Sequence, residues 1–186
     1  MSQEIDEKYE GELNNIKKIF GGDKFIREIW TNYGFNIDGQ FVGLNSNINV
    51  YEACFIGLLT KTYIDKYKGD KSELNVLEIG LAYGTSSIHI LNPLLKYGGK
   101  VNYTVLDPNQ TETWKSIGIN NIRNYLKTNE NSSIHVKLIE DYSNVVMEKL
   151  TEKYDIIFID GGHEYHIAKA DIDNCFTPTK ICNRTL

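Results

Sequence analysis

Two short stretches of the chain carry residue types that could do chemistry together. Residues 75–87 read NVLEIGLAYGTSS, a run of strand formers that ends in an acid and is followed by Gly80 and Gly84. Glycines at a strand-to-helix turn permit unusual dihedrals and a close approach of the backbone to a ligand. Glu78 is a candidate acceptor at the end of the strand. The loop predicts a small-molecule site, although such glycines also occur in purely structural turns.

The second stretch is FIDGGHEYH, at residues 158–166. His163 is a candidate general base because an imidazole titrates near neutral pH. Asp160 ends the strand, where an aspartate can be either a functional carboxylate or an ordinary helix cap. The zinc-protease pattern H-E-x-x-H is excluded, since Ile167 stands where the second histidine would be.

A third acid, Asp107, ends the stretch YTVLDPNQ and lies 27 residues after Gly80 (107 − 80). A carboxylate at the end of a second strand can accept the hydroxyls of a ribose. Asp followed by Pro is also a common turn signal. The glycine loop reads E-x-G-x-x-x-G rather than the dinucleotide pattern G-x-G-x-x-G, which favours a ligand without a pyrophosphate.

These residues sit at the ends of a regular series of elements. The stretches NVLEI, KVNYTVL, IHVKLI and YDIIFI predict strands, with helices near 85–97, 111–128 and 142–151. Such alternation predicts an α/β fold, Rossmann-like and doubly wound around a mostly parallel sheet. Helices predicted at 4–20, 24–30 and 48–68 form an N-terminal helical cap. We therefore expect a cap at 1–70 and a core at 71–186 within one compact domain.

Composition narrows the classes of function. The net charge of −5 and a pI near 5.4 argue against nucleic-acid binding. No apolar run approaches the ~20 residues of a membrane span, and the acidic N-terminus is unlike a signal peptide. Three cysteines at no metal-ligand spacing predict reduced thiols and a cytoplasmic location. The abundance of Asn, Ile, Lys and Tyr suggests an AT-rich genome.

Together, VLEIGLAYGTS, VLDP and YDIIFIDGGHEY resemble the class I S-adenosylmethionine-dependent methyltransferases, and most of all the cation-dependent small-molecule O-methyltransferases. The resemblance covers roughly residues 70–176. It implies S-adenosylmethionine as cofactor, a small-molecule or sugar hydroxyl as acceptor, and Mg²⁺ held by Asp160, with Asp160 and His163 as catalytic residues. It also implies a set of cofactor-binding residues: Glu78, Gly80, Ala82, Gly84 and Ser86 for the methionine part, Asp107 for the ribose, and Asp141 and Ser143 for the adenine.

The pattern breaks after ADIDNCF, where the family usually continues into a fifth strand with further metal-binding acids. This sequence reads TPTKICNRTL instead, and no fifth strand is predicted. A cation held by Asp160 alone would bind weakly. An open edge on the fourth strand would favour a homo-oligomer or a partner chain. A shortened chain, a degenerate gene product and a half-domain completed by a partner all remain open.

Two other functions remain open beside the methyltransferase. One is a catalytically inactive cofactor-binding or interaction module derived from such an enzyme. The other is an NAD-dependent oxidoreductase, which shares the architecture and the ribose-binding acid but not the glycine spacing.

Overall fold

The computed structural model of the chain describes residues 11, 14–15, 17–33, 48–67, 72–130 and 133–182. It contains a four-stranded parallel sheet in the order β3-β2-β1-β4. The predicted α/β fold is confirmed. The strands are β1 (Glu73–Ile79), β2 (Lys100–Leu106), β3 (Ile134–Ile139) and β4 (Ile156–Ile159).

Helices cover both faces of this sheet, because apolar side chains alternate between the faces along each strand. On one face, Val76 and Tyr103 belong to a large cluster shared with the first four helices, and on the other Leu77 belongs to a smaller cluster with Val146 and Cys175. The sheet is therefore doubly wound, as predicted. The helices are α1 (Lys24–Asn32), α2 (Val50–Tyr67), α3 (Thr85–Leu94), α4 (Ile117–Thr128), α5 (Ser143–Val146) and α6 (Tyr165–Cys175).

The strand order creates a switch point beside β1. The chain lays β2 and β3 on one side of β1 and then crosses back to place β4 on the other side. In register, Ile79 pairs with Leu106 and with Ile159. The residues that follow these strands therefore emerge side by side at the carboxyl edge, where open α/β sheets bind ligands.

The N-terminal helix α1 is tied to the core by its cap residue. Asp23 is the N-cap of α1, since its Oδ1 accepts from the backbone N–H groups of Phe25 and Ile26. Its Oδ2 accepts from Asn92 of α3 and from the Tyr125 hydroxyl of α4. One carboxylate thus begins a helix and also fixes its position against two others.

A hydrogen bond inside the core also joins α1 to α3. The Trp30 indole N–H donates to His89 Nε2 at 3.0 Å, and His89 Nδ1 lies 2.7 Å from the carbonyl oxygen of Thr85. Burial lowers the pKa of His89 to about 4, so the imidazole is neutral at pH 7. This histidine is structural, since both of its ring nitrogens are bonded inside the core.

Three predicted helices are shorter in the structure. The helix expected at 111–128 begins only at Ile117, because Thr111 donates both its N–H and its hydroxyl to the Glu140 carboxylate and holds the preceding residues in turns. The helix expected at 142–151 is reduced to α5, and the one expected at 85–97 ends at Leu94.

Among the described residues no fifth strand follows β4, as predicted, and β4 lies at the edge of the sheet. Tyr154, just before β4, forms a parallel β-bridge with Ile181. The Tyr154 N–H donates to the carbonyl of Lys180, and the Cys182 N–H donates to the carbonyl of Tyr154. Residues 180–182 therefore run beside this edge of the sheet, while residues 183–186 lie outside the described part of the chain.

Most of the helix predicted at 4–20 also lies outside the described residues, although residues 17–21 are helical. Of the helices that the structure describes, none has both the length and the apolarity needed to cross a membrane.

Candidate active site

A cavity of about 850 Å³ opens at the carboxyl ends of β1, β2 and β4, which is within the usual range for small-molecule sites. Seven of the ten predicted site residues line it: Gly80, Ala82, Asp107, Asp141, Ser143, Asp160 and His163. The other three, Glu78, Gly84 and Ser86, do not. The two sequence stretches that suggested chemistry are therefore brought to one cavity.

The glycines of the loop are required for its packing against neighbouring backbone, whether or not a ligand is bound. Gly80 has φ 89°, and a Cβ on it would lie 2.1 Å from the carbonyl oxygen of Asp160. Gly84 has φ 78°, and its Cβ would lie 2.9 Å from the carbonyl oxygen of Gly118. The loop is therefore wedged between the end of β4 and the start of α4, where a side chain has no room.

Glu78 lies beneath this loop and is fully buried. Its carboxylate accepts hydrogen bonds from three hydroxyls, those of Ser86, Ser87 and Tyr103. Burial raises the pKa of Glu78 to about 7, while the three hydroxyls oppose that rise. Glu78 and Ser86 thus hold the start of α3 against β1. Their assignment as direct cofactor contacts stays a prediction.

Asp107 binds the glycine loop from the side of β2. Its Oδ2 accepts from the backbone N–H groups of Leu81 and Ala82, at 3.0 and 2.9 Å, and from the Gln110 side chain at 3.2 Å. Among the described residues, the N–H of Asn109 is the only donor to its Oδ1, at 2.8 Å. These bonds hold Ala82 at φ 43°, a left-handed conformation that is unusual for a residue with a side chain.

Asp160 and His163 lie at the opposite wall, on the segment that follows β4. Asp160 Oδ1 is 3.3 Å from His163 Nε2, and the two side chains are 38% and 83% exposed. The pKa of Asp160 is raised, mainly by burial and also by the Glu52 carboxylate, while His163 opposes the shift. The predicted pair is in contact, but it is open to solvent and held by few bonds.

The described residues do not form the metal site that the resemblance implied. Within residues 48–67, 72–130 and 133–182, no three His, Cys, Asp or Glu side chains are grouped so that they could hold a metal ion. In this described part of the chain Asp160 has no grouped ligands beside it, and a Mg²⁺ held by Asp160 alone would bind weakly.

Beyond β3, the cavity wall joins two elements that are distant in sequence. Asp141 caps its own turn by accepting from the N–H of Tyr142 at 2.8 Å. Ser143, the first residue of α5, donates its hydroxyl to Oδ1 of Asp171 on α6. The predicted pair Asp141 and Ser143 thus lies at the cavity together with Asp171, a carboxylate that the sequence did not single out.

Several other cavity residues were missed in the sequence. Glu52 and Phe55 come from α2, and Trp114 from the turns before α4. Trp114 packs edge-on against Tyr83, which stacks on Tyr33. Trp114 was not predicted as a site residue because its segment was predicted to be part of a helix. A single acid such as Glu52, outside any motif, does not indicate a site. The aromatic residues Trp30, Tyr33 and Tyr51 of the N-terminal cap do not line the cavity.

Comparison with known proteins agrees with this geometry. The sequence model of the family described as "Methyltransferase domain" matches residues 77–179. The SAH-bound methyltransferase PaMTH1 from Podospora anserina is similar in structure, with a TM-score of 0.57 and 15% identity, over 88% of this chain and 60% of that chain. An O-methyltransferase from Bacillus cereus in complex with SAH gives a TM-score of 0.50 and 18% identity, over 81% of this chain and 61% of that chain.

This chain thus spans about three fifths of the length of these two structures. At such low identity the likeness shows the fold. No curated protein sequence matches.

Proposed function

The chain belongs to the methyltransferase-domain family, and from that premise we propose that it transfers the methyl group of S-adenosylmethionine to a hydroxyl group of a small molecule. One observation carries the proposal: the glycine loop, Asp107 and the Asp160–His163 pair, which lie far apart in sequence, line a single cavity at the switch point of the sheet. The SAH-bound methyltransferases of similar fold support the same cofactor.

The residues present fit this cofactor. The cavity, at about 850 Å³, has room for it and for an acceptor. From the part of the chain that the structure describes, Asp107 Oδ1 accepts a single hydrogen bond, which leaves a lone pair for a ribose hydroxyl. The backbone of Gly80 to Ala82 would hold the methionine part, and Asp141 and Ser143 the adenine.

The cofactor would supply an electrophilic methyl group on its sulfonium, and the chain would supply the position and the base. His163 can donate from Nε2 to Asp160 while it accepts the proton of the hydroxyl at Nδ1. Asp160 would thereby orient the imidazole and stabilise it once it is charged. Most of the rate would come from holding acceptor and donor in line.

No step of this proposal passes through a metal ion, since the described residues group no three ligands around Asp160. Glu52 and Phe55 of α2 line the same cavity. The apolar ring of Phe55 and the carboxylate of Glu52 would then contact the acceptor rather than the cofactor.

A second candidate is a cofactor-binding module without catalysis. The exposed Asp160–His163 contact favours it, because a single 3.3 Å contact between two solvent-exposed side chains does little to fix a base in place. The third candidate, an NAD-dependent oxidoreductase, has no support from the family match.

The test is a methyl-transfer assay with labelled S-adenosylmethionine and a panel of hydroxyl-bearing small molecules, alongside calorimetric titration with S-adenosylhomocysteine and NAD. Transfer to a hydroxyl acceptor, with binding of S-adenosylhomocysteine and not NAD, is expected. Binding without transfer to any acceptor would favour the non-catalytic module, and binding of NAD alone would refute the proposal.

A further inference from the structure

A second cavity, of about 450 Å³, lies apart from the catalytic one, and no described residue lines both. It opens between the segment that follows α5 and the segment in which α6 ends. Its volume is within the range of small-molecule sites. Side chains with hydrogen-bond donors line it on both sides: Thr151, Asn174, Thr177, Thr179 and Lys180. The proposed methyl transfer uses none of these residues.

Lys180 gives this cavity its charge. It is the only Lys or Arg among the described residues that is buried, with 7% of its surface exposed. Lysine is seldom buried unless its charge is paired, and its ammonium group carries three N–H donors. Within the described part of the chain, the ammonium group has one acceptor, the carbonyl of Leu150, and forms no ion pair with a carboxylate. The buried charge therefore keeps donors that these residues do not use.

The backbone fixes Lys180 at the cavity. Its N–H donates to the carbonyl of Thr177, and its carbonyl accepts from the N–H of Tyr154, which joins it both to a turn and to the edge of the sheet. The Thr177 hydroxyl lies 2.9 Å from that of Thr179. Since only one of these two hydroxyls donates in that contact, the other can donate to a ligand. Thr151 adds a hydroxyl from the opposite wall.

One carboxylate at the cavity limits the charge of the ligand. Glu148 lines the same cavity, yet it does not form an ion pair with Lys180. It is exposed, so solvent and salt weaken its field at the buried ammonium group. A ligand with a single negative charge would satisfy Lys180 with the least repulsion from Glu148.

We propose that this cavity is a second binding site, for a small molecule that carries a singly charged oxyanion, and that Lys180 binds the anionic group. A carboxylate and a singly charged phosphate group share this chemistry, because the oxygens of both accept from ammonium and hydroxyl donors. The inference does not rest on the proposed methyl transfer, since no residue of the catalytic cavity takes part.

The experiment is an NMR titration of the isotope-labelled full chain with sodium acetate and, separately, with inorganic phosphate. The ionic strength is kept constant with sodium chloride, at about pH 6, so that general salt effects cancel. The amide signals of Thr177, Thr179 and Lys180 should shift and saturate with at least one of the two anions. Saturation with acetate alone would identify a carboxylate ligand, and saturation with phosphate alone a phosphate ligand.

Three variants test the role of the charges. Lys180→Met keeps the stem of the side chain but removes the ammonium group, so the affinity should fall at least about tenfold. Lys149→Met is the matched control, because Lys149 is exposed and does not line the cavity. Its affinity should stay within about twofold of the wild type. Glu148→Gln removes the repelling charge and should tighten binding by about twofold.

An absence of saturation with both anions in the wild-type chain would overturn the proposal. Equal losses of affinity in Lys180→Met and Lys149→Met would overturn it as well, because they would indicate attraction by the whole surface. If Lys180→Met folds poorly, Glu148→Gln decides the question: binding that is no tighter than in the wild type would contradict an anion held in this cavity.

Discussion

Two walls of the cavity differ in how their carboxylates are satisfied. On the glycine-loop side, Asp107 at the cavity accepts from four N–H groups, and Glu78 beneath the loop accepts from three hydroxyls. Both carboxylates are almost completely buried. On the β4 side, Asp160 has one 3.3 Å contact with a largely exposed imidazole. The first wall is fixed by the fold before a ligand arrives, whereas the second needs a ligand to complete it.

The contrast assigns different tasks to the two walls. A wall whose polar groups are already bonded loses little entropy on binding, which suits the recognition of a constant cofactor. A sparsely bonded wall can adapt, which suits a varied acceptor. Substitutions on the first wall should therefore act on stability and cofactor binding, and those on the second on turnover.

The largest effect is expected where the walls touch. Gly80→Ala should destabilise the chain by more than about 3 kcal/mol, because it adds left-handed strain and a Cβ 2.1 Å from the Asp160 carbonyl. Gly98→Ala is the matched control, since Gly98 also has a positive φ of 82° but nothing within 4 Å of its Cβ. It should cost about 1 kcal/mol. Equal losses in denaturant unfolding would show that the close packing contributes nothing.

Asp107→Ala comes next. It leaves the N–H groups of Leu81, Ala82 and Asn109 without their acceptor, so we expect a loss of about 3 kcal/mol in the free energy of unfolding. Asp141→Ala, at the same cavity, removes a carboxylate that bonds one neighbouring N–H and should cost about 0.5 kcal/mol. Urea titrations of both variants would check the difference, and a similar cost for the two would contradict it.

Glu78→Gln should reveal a pH dependence. Because the pKa of Glu78 is raised from 4.5 to about 7, the folded chain holds a proton that the unfolded chain releases between these pH values. The free energy of unfolding contributed by Glu78 therefore falls as the pH rises through this window. Glutamine does not titrate. The free energy of unfolding of the variant, relative to that of the wild type, should therefore rise by up to about 3 kcal/mol between pH 4.5 and 7.

Glu73→Gln is the control for that experiment. Glu73 begins the same strand but is exposed, and its pKa is lowered, chiefly by Lys100 and Asn102. A depressed carboxylate pKa stabilises the folded chain above the unfolded pKa. Its variant should therefore lose stability relative to wild type as the pH rises up to about 4.5, and the difference should stay constant above that pH. Unfolding curves from pH 3 to 8 in which both variants gain stability relative to wild type with rising pH would refute the assignment.

The smallest effect on stability is expected for Asp160→Asn and His163→Ala, at about 0.5 kcal/mol each, since exposed pairs contribute little. Methyl transfer should nonetheless fall by about a hundredfold, because both act on the proton of the acceptor. Thermal melts and initial rates would measure both quantities. Variants that melt early, or that turn over normally, would remove Asp160 and His163 from the catalytic role.

How far the sequence predicts this architecture depends on the range of the interactions involved. The bounds of β2 and β3 follow from local apolar patterning, and the positions of Gly80, Asp107 and Asp160 follow from the ends of strands. The place of Ile181 beside Tyr154 does not, because that pairing depends on a segment 27 residues away (181 − 154). The late start of α4 likewise depends on Glu140, which lies beyond the helix that it shortens.

The candidate site shows the same limit. Sequence motifs placed seven residues at the cavity, but not the number of donors on each carboxylate, which decides what the carboxylate can do. The motif shows Glu78 at the end of a strand, but it does not show the three hydroxyls that donate to its carboxylate. Asp171 reads as one acid of an amphipathic helix until Ser143 and Gly161 are found beside it.

The most direct test of the difference between the walls is calorimetric titration of S-adenosylhomocysteine into the wild-type chain, Asp107→Ala and Asp160→Asn. We expect the wild type and Asp160→Asn to bind with affinities within about threefold of each other, while Asp107→Ala shows no binding although it remains folded. The opposite pattern, in which Asp160→Asn abolishes binding and Asp107→Ala preserves it, would contradict the account.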